Sequence, residues 1–136
     1  MERGLLRMKA LVKEEKKAGA VLKEVERPSI KRDEVLIKVE ASALCKSDVD
    51  VYEWTPLVAK AEYPLPFIMG HEFSGRIVEA GEDVKGFSVG DRVAGETHIP
   101  CGYCETCRTG NQHICGNHMG VLGRTVDGCF AGYIAL

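Results

Sequence analysis

The sequence lacks three features that would each assign it to a large class of proteins. It has no run of 18 apolar residues, so we expect no helix that spans a membrane. It has no block of basic residues and a net charge of −2, which argues against nucleic acid or an anionic membrane as a partner. Its first residues contain no apolar segment long enough for a secretory signal, so we expect a cytoplasmic protein.

The composition indicates one folded domain. Apolar residues make up 45% of the 136 residues and charged residues 28%, a balance that excludes a disordered chain. Apolar and polar residues alternate in several short segments, as in half-buried strands, and Val35, Ile37 and Val39 are predicted to share one buried face. Short strands at this spacing favour a small barrel or sandwich. The predicted strands are Met8–Val12, Ala20–Val25, Glu34–Ala41, Phe73–Glu79, Val89–Ala94 and Phe130–Leu136.

Cysteine is the informative residue. Four of the six cysteines fall in a polar lobe at about residues 95–119, with the spacing Cys-x2-Cys-x2-Cys-x7-Cys. This spacing lets four thiolates face one centre, and a bound zinc would supply the folding free energy that the missing apolar core does not. Because the ligand set is closed, the site should be structural. The four residues are Cys101, Cys104, Cys107 and Cys115.

An iron–sulfur cluster is the main rival interpretation of these cysteines. Bacterial ferredoxins also use Cys-x2-Cys-x2-Cys, but their fourth cysteine follows after three residues and precedes proline. Here it follows after seven residues and precedes Gly116. A set of free, buried thiols is the remaining alternative.

A second, incomplete site is suggested by two separate segments. His71 and Glu72 follow an apolar run and open a predicted strand, a position from which a side chain can reach a metal. Cys45 lies upstream, followed by Ser47 and Asp48, either of which can cap a short predicted helix. Taken alone, a single histidine and a single cysteine are more often structural.

The motifs together resemble a known family. Gly-His-Glu-x2-Gly-x5-Gly-x2-Val, with Cys-x-Ser-Asp upstream and the four-cysteine lobe downstream, resembles the zinc-dependent alcohol dehydrogenases of the medium-chain dehydrogenase/reductase superfamily. The resemblance implies a mainly β fold, a GroES-like β-barrel with short helices, as the catalytic domain over residues 8–136. Residues 1–7 would be an N-terminal extension. Within the family, the segments near Tyr52 and Ala94 look like those of L-threonine 3-dehydrogenases, with sorbitol and butanediol dehydrogenases as close relatives.

The resemblance also implies roles for residues of the second site. Cys45 and His71 would hold a catalytic zinc, with Glu72 as a ligand or close partner. The Ser47 hydroxyl would hydrogen-bond the substrate oxygen and start a proton relay. Asp48 would orient the imidazole of His71.

The implied reaction is oxidation of a secondary alcohol, either a threonine-like amino alcohol or a polyol. The zinc ion would lower the pKa of the substrate hydroxyl, and the resulting alkoxide would lose hydride to NAD or NADP. Many family members carry a histidine five residues after the catalytic cysteine to pass the proton to solvent. This sequence has Asp50 there, whose ordinary pKa is lower than that of histidine.

Part of the family's machinery has no counterpart in this sequence. No Gly-x-Gly-x2-Gly motif occurs, so we expect the nucleotide-binding domain to be absent and the chain to be inactive alone. The full-length enzyme would be a homo-oligomer, a dimer or tetramer. Two alternatives stay open, a non-enzymatic zinc-stabilised binding module and an iron–sulfur electron carrier.

Overall fold

A computed structural model describes residues 6–136. The predicted extension over residues 1–7 lies mostly outside this range, although Arg7 already belongs to the first strand. Strands dominate the described residues, which confirms the mainly β fold class, and none of the helices there has the length and apolar character needed to cross a bilayer. In chain order the elements are β1 (Arg7–Lys13), β2 (Val21–Glu26), β3 (Val35–Ala43), α1 (Lys46–Glu53), α2 (Pro56–Ala59), β4 (Phe67–Ile68), β5 (Glu72–Ala80), β6 (Arg92–Ala94), β7 (His98–Ile99), α3 (Glu105–Arg108), a 3-10 helix (Gln112–Ile114), β8 (Gly120–Val121) and β9 (Tyr133–Ala135).

The first sheet has the strand order β2-β1-β4. Along β1, Met8, Ala10 and Val12 are buried on one face while the residues between them are more exposed, as the alternating pattern predicts. β1 and β2 pair antiparallel with Leu11 opposite Leu22, which confirms the predicted opening strand pair.

The second sheet has the strand order β6-β5-β3-β9. The predicted face of Val35, Ile37 and Val39 is confirmed, because Ile37 is buried in the largest cluster of core side chains and half-buried Val35 and Val39 pack against that cluster. Leu36 is buried as well, at a shift in the pairing of β3 with β5 between Leu36 and Ile37. Such a bulge interrupts the two-residue alternation of a strand, and the sequence pattern alone does not show it.

The segment 130–136 joins the two sheets. The backbone N–H of Leu11 in β1 donates to the carbonyl of Phe130 at 2.8 Å, and β9 then pairs with β3 through Ile134 and Ile37. Each sheet nevertheless has its own cluster of buried side chains, and that of the first sheet consists of Met8, Ala10, Val12 and Ile68. The largest cluster lies on the second sheet and consists of Ile37, Phe73, Ile77, Leu122, Cys129 and Ile134.

Helix α1 begins closer to the N-terminus of the chain than predicted. Its N-cap is Cys45, so the prediction that Ser47 or Asp48 caps the helix is wrong. Asp48 instead lies in the first turn, where its carboxylate Oδ2 accepts a hydrogen bond from the Cys45 N–H at 3.0 Å. On the same face of the helix, one turn later, Val51 is buried in a cluster with Phe67, and this packing holds α1 on the barrel.

Candidate metal centres

The cysteine-rich lobe consists of short polar elements with almost no core. Among residues 101–119, only Cys107 and Cys115 are buried. Cys104 is the N-cap of α3, which contains Cys107, and Cys115 ends the 3-10 helix. The ladder between β7 and β8 closes the base of the lobe.

The four sulfurs of the lobe are arranged as a tetrahedral metal site requires. Cys115 Sγ lies 3.6 Å from Cys101 Sγ and 3.8 Å from Cys104 Sγ, and Cys101 and Cys107 are 3.9 Å apart. A zinc–sulfur bond of about 2.3 Å predicts sulfur–sulfur separations of about 3.8 Å around a tetrahedron. All four cysteines are free rather than disulfide-bonded. The residues therefore fit a structural zinc.

The local environment favours thiolates at two of these positions. The backbone of Cys107 lowers the pKa of the Cys104 thiol to about 6, and the backbone of Cys101 lowers the pKa of Cys115. Burial raises the pKa of Cys107 to about 12. Because metals bind the thiolate, a cation is needed to hold the Cys107 sulfur in its charged form.

The second group of possible ligands forms where α1 meets β5. Ala43, the last residue of β3, pairs with Glu72, the first residue of β5, so Cys45 is brought beside the segment that carries His71. Single ligand atoms of Cys45, His71 and Glu72 all lie within 4.8 Å of one another. Cys45 is half-buried, His71 buried and Glu72 exposed, which leaves one side of the group open. A cysteine, a histidine and a glutamate with one side left open match the ligand set of a catalytic zinc site, which keeps one coordination position free.

The remaining predicted residues surround this group. Ser47 Oγ donates to Cys45 Sγ at 3.3 Å. Asp48 Oδ1 lies 3.2 Å from His71 Nδ1, but this close approach is not an aligned hydrogen bond, and within residues 6–136 Nδ1 has no hydrogen-bond partner. The contact still turns Nδ1 toward Asp48 and leaves Nε2 as the nitrogen for a metal. Asp50 forms an exposed ion pair with Lys46 one turn away, and this hydrogen bond raises the pKa of Lys46.

The structure adds Arg124, a residue that the sequence analysis missed. Its guanidinium is buried, and Nη1 lies 3.4 Å from Asp48 Oδ1. The sequence around Arg124 shows neither a periodic pattern nor a ligand spacing, so nothing in it singles out this arginine. The contact depends entirely on how the chain folds.

Two glycines determine how closely the loop that carries Arg124 approaches the loop before His71. A Cβ at Gly123 would lie 2.6 Å from the Gly70 carbonyl oxygen, and a Cβ at Gly128 only 2.0 Å from it. Three backbone hydrogen bonds fasten the two loops, including the Cys129 N–H to the Gly70 carbonyl at 3.0 Å. The backbone contact is thus possible only without side chains at these positions.

Comparison with known proteins identifies the family. The model of the family described as alcohol dehydrogenase GroES-like domain matches residues 31–136. The chain belongs to this family. L-Threonine 3-dehydrogenases from Burkholderia vietnamiensis and Burkholderia multivorans are 45% identical to it over 129 residues, which cover 95% of this chain and 37% of each relative. The chain therefore spans little more than a third of the length of these curated relatives.

Solved structures confirm the GroES-like fold. D-Arabinose dehydrogenase from Sulfolobus solfataricus superposes with a TM-score of 0.80 at 30% identity, over 97% of this chain and 38% of that one. A cobalt- and zinc-bound thermostable alcohol dehydrogenase from Pyrobaculum aerophilum gives a TM-score of 0.80 at 33% identity, over 96% and 39%. The predicted resemblance to zinc-dependent alcohol dehydrogenases is thereby confirmed.

Proposed function

We propose that this chain is the part of a zinc-dependent dehydrogenase that binds the catalytic metal and a secondary alcohol. The observation that carries the proposal is the open group of Cys45, His71 and Glu72, whose three ligand atoms lie within 4.8 Å of one another, in a chain that also has a separate, closed four-cysteine site. Catalytic zinc sites keep an open position, whereas structural sites do not. The substrate would be a threonine-like amino alcohol or a polyol, in keeping with the L-threonine 3-dehydrogenases among the relatives.

Cys45, His71 and Glu72 would hold the zinc ion, which would supply the Lewis acidity that lowers the pKa of the alcohol hydroxyl and favours hydride loss to NAD or NADP. The Ser47 hydroxyl lies next to this group, where it donates to Cys45 Sγ at 3.3 Å, and would take up the substrate proton as it passes on its own. Asp48, 3.2 Å from Nδ1 of His71, would keep the imidazole turned so that its other nitrogen is available to the metal.

Asp50 would pass the proton from Ser47 toward solvent. It is half-buried on α1, and the exposed ammonium of Lys46 sits against its carboxylate. An exposed ion pair of this kind is weak, so Lys46 can leave the carboxylate free to exchange protons with water. We further propose that the whole enzyme is a cytoplasmic homo-oligomer that acts on a small molecule and needs neither nucleic acid nor a membrane.

The test uses the longer protein that contains this region. NAD and NADP reduction is measured with L-threonine, sorbitol and a simple secondary alcohol, with zinc content determined on the same samples. We expect oxidation of at least one alcohol, its loss in Cys45→Ser, and a strong reduction in Ser47→Ala. Ser74→Ala, on an exposed position of β5, is the matched control. A zinc-loaded wild type that reduces neither nucleotide with any of these alcohols would support the binding module instead.

A further inference from the structure

We propose that Arg124 is a positioning residue for the open metal group, and that it acts through the carboxylate of Asp48. The inference rests on the proposed function, because it takes Cys45 and His71 as metal ligands. It assigns a role to an arginine that does not itself contact the ligands.

The carboxylate of Asp48 touches both ligand residues at once. Its Oδ2 accepts the Cys45 backbone N–H at 3.0 Å, and its Oδ1 lies 3.2 Å from His71 Nδ1. The side chain of Asp48 is 0% exposed. A carboxylate removed from water in this way is stable only when other groups compensate its charge. The position of Asp48 therefore determines the spacing of Cys45 and His71.

Arg124 supplies the compensating charge from a different loop. Its Nη1 lies 3.4 Å from Asp48 Oδ1 and also donates to the Gly123 carbonyl at 2.7 Å, so the guanidinium is held by its own backbone. The side chain is only 8% exposed. Among the described residues, the charged partners of Asp48 are Arg124 and His71, which is charged only when protonated. Arg124 is thus the permanent positive charge in this contact set.

The loop of Arg124 is fastened to the loop that carries His71. The Gly128 N–H donates to the Ile68 carbonyl at 2.8 Å, next to the close backbone contact between Gly123 and Gly70. Arg124 therefore cannot shift independently of His71. Through Asp48 it links this pair of loops to α1, the helix whose N-cap is Cys45.

The loss of such an outer contact usually weakens metal binding about 10–100-fold. Arg124→Met keeps a side chain of similar length and removes the charge and the donors. We expect it to weaken the open site by a factor in this range and to leave the four-cysteine site unchanged. Arg124→Lys keeps the positive charge but not the planar guanidinium group, and it should cause a smaller loss of metal affinity at the open site.

The experiment is an anaerobic titration of the chain with Co²⁺, followed by thiolate-to-cobalt absorption. Wild type should show a tight class of sites and a weaker one, and Cys45→Ser should remove only the weaker class. In Arg124→Met the weaker class should bind about 10–100-fold less tightly, with far-UV circular dichroism and the tight class as checks on folding. Because Arg124 acts through Asp48, adding Arg124→Met to Asp48→Asn should cause little further loss.

Four outcomes would overturn the inference. A weaker class within twofold of wild type in Arg124→Met, or full additivity with Asp48→Asn, would show that Arg124 does not act on the ligands through Asp48. Equal weakening of both classes in Arg124→Met and in Arg124→Lys would show a general effect on folding. If wild type has no weaker class at all, the proposed function fails with the inference, and this result is distinguishable from the other outcomes.

Discussion

Replacing Lys13 with methionine should destabilise the chain, because this lysine links the first hairpin to helix α1. Its side chain is fully buried, and its ammonium donates to the carbonyl oxygens of Lys17, of Gly19 at 2.8 Å and of Tyr52 at 3.0 Å. The Trp54 ring lies below it, with 5.3 Å between Nζ and the ring centroid. Three donors thus meet three acceptors, two between β1 and β2 and one near the C-terminal end of α1.

The magnitude follows from the acceptors that lose their donor. The Tyr52 carbonyl also accepts the Gly19 N–H at 2.8 Å, so it remains paired in Lys13→Met. The carbonyl of half-buried Gly19 loses the ammonium, at about 1–3 kcal/mol, whereas Lys17 is exposed and water can replace the donor at its carbonyl. Burial lowers the pKa of Lys13, which means that removing this charge offsets part of the loss. We expect a net decrease in the free energy of unfolding of about 1–2 kcal/mol.

Urea unfolding of zinc-loaded protein, followed by far-UV circular dichroism, measures this change. Lys9→Met is the matched control, since Lys9 lies on the same strand with its side chain exposed, and it should change the free energy by less than about 0.5 kcal/mol. The reasoning would be refuted if Lys13→Met were as stable as Lys9→Met. It would then follow that the three carbonyls are satisfied without the ammonium.

Three further predictions concern the lobe, the loop contact and a buried thiol. Removing zinc with a chelator should make residues 101–115 the first site of proteolysis while the strands stay protected, because that segment buries almost nothing apolar; an unchanged cleavage pattern would contradict this. Gly128→Ala should lower the free energy of unfolding in urea by about 3 kcal/mol, because its Cβ would meet the Gly70 carbonyl oxygen at 2.0 Å. Gly116→Ala, with open space around it, should be nearly neutral, and equal effects of the two substitutions would rule out the close contact. Burial raises the pKa of Cys129 to about 11, so the folded chain holds the thiol proton more tightly than the unfolded chain does. The stability that this protonated thiol contributes is fully present below about pH 8.5 and is lost as the pH rises toward 11. In urea titrations, Cys129→Ala should therefore lose less stability over that pH range than wild type.

Local patterns in the sequence were sufficient for the longer strands and for the four-cysteine site. The alternation along β1 and the short spacing of Cys101 to Cys115 are properties of neighbouring residues, and the structure realises both. β4, β7 and β8 have only two residues each, too few to show any period. They form because longer strands and the lobe place their backbones side by side.

The open site could not be predicted from local patterns in the same way. Cys45 and His71 are far apart in the chain, and the pairing of Ala43 with Glu72 brings them together. Only the family resemblance linked them beforehand. Arg124 was missed because its partner, Asp48, lies on another element, and because a single arginine in a turn has no periodicity or spacing to mark it.

The most direct test of the account is the metal content of the purified chain, measured by elemental analysis before and after exposure to a weak chelator. We predict about one zinc per chain that survives the chelator and is lost in Cys104→Ser, together with a more weakly held zinc that is lost in Cys45→Ser. Iron with visible absorbance, or no metal retained by the four cysteines, would contradict the account.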